Sequence, residues 1–179
     1  FIKPLFKGGV GKKGKSGLLG RVDNITDALK EKERLYFCEH VDGFNKVKSD
    51  GVTYEGAVPA DYEVYFSITE STEHRSPVMT VTHHGGVDIE ELDSDKLAVV
   101  PFDPLTGLKA FHVSNALMDL GAPPEVISPL VQNLPKLWDL YNNYGMLMVE
   151  LNPIRMQPGK GGRLAPIACD FKCAFDQDD

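Results

Sequence analysis

Two hydrophobic periods divide this sequence, and the order in which they occur limits the folds open to it. Residues 63–68 (EVYFSI) and 77–82 (PVMTVT) alternate polar and apolar side chains, the two-residue period of a half-buried strand. The polar stretch 69–76 joins them, so together they predict an antiparallel pair. From Ala110 to Asn143 the period becomes helical. Phe111, Val113, Ala116, Leu117 and Leu120 line one face of a first helix, ended by Gly121-Ala122-Pro123-Pro124. Ile127, Leu130, Val131, Leu134, Leu137, Trp138 and Tyr141 line a second, interrupted at Pro135. Strand character returns at 146–151 (MLMVEL) and 164–171 (LAPIACDF), with a hairpin loop at 157–163. Strands, then helices, then strands again predict the α+β class with mainly antiparallel pairing.

The remaining segments are shorter. Residues 1–6 (FIKPLF) and 18–22 read as strands on either side of a loop, 7–17, that holds five glycines and four lysines. Asn24-Ile25-Thr26-Asp27 offers a cap to a short helix from Ala28 to about Arg34. Residues 35–39 (LYFCE) read as a buried strand, and 42–60, with Gly, Asp, Asn and Pro, as a long connection or hairpin. A short strand at 99–102 leads into the turn Asp103-Pro104-Leu105-Thr106-Gly107.

Composition excludes several classes. Apolar residues make up 42% of the 179, too many for a disordered chain. No uncharged apolar run approaches the roughly 18 residues of a spanning helix. Nineteen basic against 26 acidic residues give a net charge of −7, which argues against a general nucleic-acid binder. Yet Lys3, Lys7, Lys12, Lys13 and Lys15 fall in the first fifteen residues with no acid among them, a concentration suited to one small polyanion. Cys38, Cys169 and Cys173 form neither a disulfide framework nor a zinc pattern, so thiols in a reducing compartment are expected: the cytoplasm, or the mitochondrial matrix. The chain opens on Phe1 within an apolar stretch, which reads as an internal start and not as a signal peptide.

Four places could carry chemistry. In the Gly/Lys loop, backbone N–H groups and lysine charges suit a phosphate; the loop matches neither the P-loop nor the dinucleotide pattern, and a solvated basic loop explains it equally well. Glu150 and Asn152, two apart on a strand, share a face, and the hairpin can bring Asp170 beside them with Lys172. Two carboxylates and an amide oxygen are hard ligands suited to Mg²⁺; ordinary cross-strand charge pairing is the competing reading. Glu39 and Glu63, at the ends of strands flanking the 42–60 stretch, are hydrogen-bond acceptors for an adenine amine or ribose hydroxyls, or else solvated acids. His83-His84-Gly85-Gly86 ends a strand; adjacent strand histidines point to opposite faces, so they suit a phosphate contact, acid–base work or a structural turn better than a metal. His40, His74 and His112 show no partner pattern.

The order of these features resembles the ATP-grasp region of the acyl-CoA synthetases that form a nucleoside diphosphate, such as the β subunit of succinyl-CoA synthetase and the corresponding part of ATP-citrate lyase. The resemblance runs from Lys3 to Asp176. It rests on Gly85-Gly86-Val87-Asp88-Ile89-Glu90, Asp103-Pro104-Leu105-Thr106-Gly107, Val149-Glu150-Leu151-Asn152-Pro153 and Asp170-Phe171-Lys172 with Asp176. It implies an ATP-grasp fold: two α+β lobes with largely antiparallel sheets around a nucleotide cleft. Residues 1–42 would be the remainder of the small lobe, 43–60 a connecting insert and 61–179 the large lobe.

The resemblance also implies roles. Lys3 looks like the strand lysine on the nucleotide phosphates, and Gly11, Gly14, Lys15 and Gly17 look like the flexible loop over them. Glu39 and the backbone near Val41 resemble the adenine hinge, and Glu63 the ribose-side acid. Asn152 and Asp170 resemble Mg²⁺ ligands, and Glu150 the acid beside the site where a phosphohistidine forms. The turn at Gly85-Gly86 lies where that histidine's loop approaches. ATP or GTP is the implied nucleotide. A partner subunit or domain would carry the phosphohistidine and bind CoA, making a hetero-oligomer, with no nucleic acid and no membrane involved. His83-His84 favours the citrate type and Asp-Pro-Leu-Thr-Gly the succinate type. Two other readings compete: another ATP-grasp carboxylate ligase, and a non-catalytic nucleotide-binding or assembly module.

Overall fold

A computed structural model describes residues 1–6, 17–42, 45–86 and 89–176. The chain divides into two compact units, Phe1–Ala57 and Val58–Asp179. Gly11, Gly14 and Lys15 lie outside the described residues.

In the first unit, β1 (Ile2–Leu5) pairs antiparallel with β4 (Gly51–Tyr54), and β2 (Glu39–Asp42) pairs with β3 (Asn45–Lys48). Helix α1 (Ile25–Tyr36) starts as the sequence predicts: the Asn24 side chain accepts the Asp27 N–H at 2.9 Å. It runs further than expected, however, and 35–39 is not a buried strand. Leu35 sits seven residues after Ala28 on the same helical face, so both reach the small core of Ile2, Phe6 and Leu18. Tyr36 and Phe37 remain exposed, and extended chain begins only at Glu39. Residues 18–22 are likewise not a strand; only Gly20 bridges Ile2, through N–H···O bonds of 2.7 and 2.9 Å. The stretch 43–60, read as a connection or hairpin, holds β3 and β4. β3 pairs locally with β2 as a hairpin, whereas the partner of β4 is β1, about fifty residues earlier, and pairing at that separation leaves no local signal.

The second unit is built on a sheet ordered β10-β8-β5-β6-β7, with β9 also on β8. Its members are β5 (Tyr62–Ser71), β6 (Ser76–Thr82), β7 (Ala98–Pro101), β8 (Met146–Pro158), β9 (Leu164–Ala168) and β10 (Phe171–Phe175). All pairings are antiparallel. Helices α2 (Ala110–Asp119), α3 (Pro124–Asn133) and α4 (Lys136–Asn143) occupy the predicted region, and Pro135 separates the last two. Val113, Leu117, Val126, Leu130 and Trp138 pack into one core with Val64, Phe66, Ile68, Val149, Leu151, Ile154 and Met156. The helices therefore cover one sheet face. Alternation sends Glu63, Tyr65 and Ser67 of β5 to the other.

Two strands differ from expectation. β8 continues past Leu151 to Pro158. Between the pairs Phe66–Leu151 and Val64–Ile154, β5 advances two residues and β8 three, so β8 carries one extra residue at Asn152-Pro153, joined by a cis peptide bond. The 164–171 strand is broken at 169–170. There the backbone turns inward: Cys169 N–H donates to Pro153 O at 3.0 Å and Asn152 N–H to Asp170 O at 3.3 Å.

Candidate functional site

The sheet face turned away from the helices gathers most of the polar residues singled out in the second unit. Register places Ser67, Glu150 and Lys172 in one row across β5, β8 and β10. Tyr65 Oη donates to Glu150 Oε2 at 3.2 Å. Tyr65 is 7% exposed, so the bond fixes the Glu150 carboxylate from a buried anchor. Sequence reasoning missed Tyr65, although its place two residues after Glu63 in an alternating strand marks it as facing the same side.

Asn152 is held from two directions. Its Oδ1 accepts the Gly86 N–H at 2.9 Å, and its own N–H reaches Asp170 O. The side-chain bond fixes which amide atom faces the glycine turn. Asp170 is exposed at the corner between β9 and β10. The Asn152–Asp170 bond joins main chain to main chain and does not itself set the direction of either side chain; the amide oxygen of Asn152 and the carboxylates of Asp170 and Glu150 are hard donors, a chemistry that fits Mg²⁺. Among the described residues, no three His, Cys, Asp or Glu side chains cluster to hold a metal by themselves.

The Gly85-Gly86 turn is fitted to its neighbours. Gly85 N–H donates to Glu63 O at 2.7 Å, and a Cβ on Gly85 would come within 2.6 Å of the Val64 carbonyl carbon. Gly86 has φ +75°, and a Cβ there would overlap Glu63 Oε2. Glu63 itself forms an ion pair with Arg155, Nη2 to Oε1, at 2.5 Å. Arg155 was not singled out from sequence because the strand was expected to end at Leu151.

His83 serves as a structural pin, its Nε2 donating to Leu120 O at 3.0 Å. The His83 and His84 rings lie 4.2 Å apart. Burial, then the neighbouring His83 and Lys96 charges, push the His84 imidazole below its ordinary value.

The first unit carries the other candidates. Lys3 on β1 pairs with Glu55 at 2.8 Å. Gly17, at φ +65°, offers its carbonyl to Arg34 Nη2 at 2.9 Å. Glu39 lies across the β2–β3 hairpin from Lys48, with Lys46 and Lys48 ammonium groups at 3.8 and 3.9 Å. Val41 stands opposite Lys46 in the same hairpin.

Comparison with known proteins names the class to which this architecture belongs. The family model of the ATP-grasp domain matches residues 6–156, and the chain belongs to that family. Among curated relatives, the β subunit of ADP-forming succinate–CoA ligase from Desulfatibacillum aliphaticivorans is 28% identical over 172 residues, 94% of this chain and 44% of the relative. The same subunit from Desulfosudis oleivorans is 34% identical over 128 residues, 70% of this chain and 32% of the relative. The chain thus spans less than half the length of these relatives. Among solved structures, ATP citrate lyase from Methanothrix soehngenii, in complex with citrate and coenzyme A, superposes with a TM-score of 0.73 at 21% identity, covering 99% of this chain and 38% of that one. A dinucleotide-forming acetyl-coenzyme A synthetase from Ca. Korarchaeum cryptofilum gives 0.63 at 16% identity, over 98% and 75%. These likenesses establish the ATP-grasp fold expected from the sequence.

Proposed function

We propose that this chain is the nucleotide-binding part of an ATP-dependent, nucleoside-diphosphate-forming acid–CoA ligase of the succinate or citrate type. The observation that carries the reading is the constellation on the open sheet face: Glu150 fixed by Tyr65, and Asn152 fixed by Gly86 and joined to Asp170. The relatives named above are subunits or forms of such ligases.

The reaction class is phosphoryl transfer. The terminal P–O bond of ATP breaks, an N–P bond forms on a histidine of a partner subunit or domain, and ADP leaves. The phosphoryl group then passes to the acid substrate as an acyl phosphate, and the CoA thiol displaces phosphate. Splitting the condensation in this way replaces one difficult step by easier covalent ones. Asn152 and Asp170 would hold Mg²⁺, which when bound neutralises phosphate charge. The resemblance assigns Lys3 to the nucleotide phosphates; within its own unit its ammonium is paired with Glu55. Glu150, oriented by Tyr65, accepts the N–H hydrogen bond of the incoming histidine and turns its other nitrogen toward phosphorus.

The test is calorimetric titration of the full-length protein with ATP, with and without Mg²⁺. Asn152→Ala and Asp170→Ala should each abolish the Mg²⁺-dependent part of the affinity. Unchanged Mg²⁺ dependence in both variants would sink the assignment.

A further inference from the structure

We propose that Arg155 is a positioning residue that presents the Glu63 carboxylate to the ribose of the bound nucleotide; this rests on the reading of the site as nucleotide-binding. Glu63 and Arg155 face each other in the β5–β8 register, and their side chains are only 29% and 26% exposed. The guanidinium grips two groups at once. Nη2 pairs with Glu63 Oε1 at 2.5 Å, while Nη1 donates to the carbonyl of Val58, the first residue of the second unit, at 2.9 Å. On the far side, Oε2 rests against Gly86, where no side chain would fit. The main chain of Glu63 is fixed as well, by the N–H of Gly85.

A carboxylate held in this way is a pre-ordered pair of acceptors beside the turn that orients Asn152. It has no donor to offer, so its complement is a group with donors. Apart from its phosphates, ATP presents two such groups: the vicinal ribose hydroxyls and the adenine amine. Two adjacent hydroxyls match two adjacent carboxylate oxygens. Ordering the carboxylate before binding removes the entropy that a free glutamate would lose on engaging them. Arginine suits the task because its rigid fork holds two acceptors in fixed directions, which a lysine ammonium does not.

The experiment measures affinities of the full-length protein for ATP, 2′-deoxy-ATP and inosine triphosphate with Mg²⁺. The unaltered protein should favour ATP over 2′-deoxy-ATP by on the order of tenfold, the worth of one charge-assisted hydrogen bond. In Arg155→Met that preference should fall to within about twofold, with ATP binding weakened and 2′-deoxy-ATP binding nearly unchanged. Preference over inosine triphosphate should not move. Arg155→Lys should give an intermediate ratio, and it carries the test if the methionine variant fails to fold. Equal weakening of ATP and 2′-deoxy-ATP would show that Arg155 only packs the sheet and would overturn the proposal. Lost discrimination against inosine triphosphate instead would overturn it by placing Glu63 on the base. Failure of the broader reading is distinct: the unaltered protein would then bind none of the three.

Discussion

Gly86→Ala should destabilise the protein by about twice as much as Gly121→Ala, although the two glycines share nearly the same backbone conformation, φ +75° and +74°. A left-handed L-residue costs about 1–2 kcal/mol. The stiffer unfolded chain of alanine returns about 0.4–1 kcal/mol of that. At Gly121 nothing lies within 4 Å of an added Cβ, so this difference, about 1 kcal/mol, is the whole effect. At Gly86 the methyl group would take the place of Glu63 Oε2. Glu63 must swing away, weakening a pair that is about three-quarters buried and so belongs near the upper end of the 0.2–1 kcal/mol range for exposed ion pairs. Any shift of the turn to spare Glu63 instead weakens the Gly86 N–H bond to Asn152, worth about 1 kcal/mol. The expected total is about 2 kcal/mol. Urea unfolding of the full-length protein without nucleotide measures both variants. Glu63→Ala supplies the internal check: in that background Gly86→Ala should cost only about 1 kcal/mol, because the obstruction is gone. Equal costs at Gly86 and Gly121, or no coupling between Glu63 and Gly86, would refute the reasoning.

Two further perturbations test neighbouring links. Tyr65→Phe removes the hydroxyl that fixes Glu150, whose half-exposed carboxylate can turn to water, so stability should change by no more than about 1 kcal/mol. If Glu150 acts on the transferring group, steady-state kinetics should show kcat falling about tenfold while calorimetric ATP affinity changes less than twofold. His112 should make stability fall as pH drops below about 6.5, because burial, and then the Lys109 charge, hold its imidazole below the ordinary value. In that range the unfolded chain binds the proton and the folded chain resists it, so folding stability rises with pH. Protonation would also end the bond in which His112 Nδ1 accepts the Lys109 N–H at 2.9 Å at the start of α2. His112→Gln should therefore flatten the change in urea midpoint between pH 7.5 and pH 5.5.

The second unit was more legible than the first for a physical reason. Its strands and helices pack against one large core, and burial on one side imprints a period of two or 3.6 on the sequence. β5, β6 and the helices between Ala110 and Asn143 were therefore readable directly. Among the described residues the first unit has a core of four buried ones, Ile2, Phe6, Leu18 and Leu35, so its strands carry little periodic signal. Leu35-Tyr36-Phe37 illustrates the failure: three apolar residues in a row suggest a buried strand, yet only Leu35 is inside. At the candidate site, acids and amides could be picked out because few residue types do such chemistry. Their supports could not. Tyr65 looks like a core aromatic, and Arg155 sits beyond an apparent strand end; only the register across β5 and β8 shows what each one holds.

That register depends on a single irregularity. In an uninterrupted strand, positions 150, 152, 154 and 156 would face one side. Ile154 and Met156 would then lie among the polar groups, or Glu150 and Asn152 would point into the helices. Neither arrangement is tenable: the first exposes two apolar side chains at roughly 1.5–3 kcal/mol each, and the second buries an isolated carboxylate, which costs more still. The extra residue at Asn152-Pro153 switches the parity of β8. Val149 and Leu151 before it, and Ile154 and Met156 after it, all reach the same core. Glu150, Asn152 and Arg155 are left on the opposite face, where Tyr65, Gly86 and Glu63 meet them. The bulge is thus part of the candidate site as well as of the fold: it lets one strand deliver an acid, an amide and a guanidinium to the same face within six residues without breaking the core beneath.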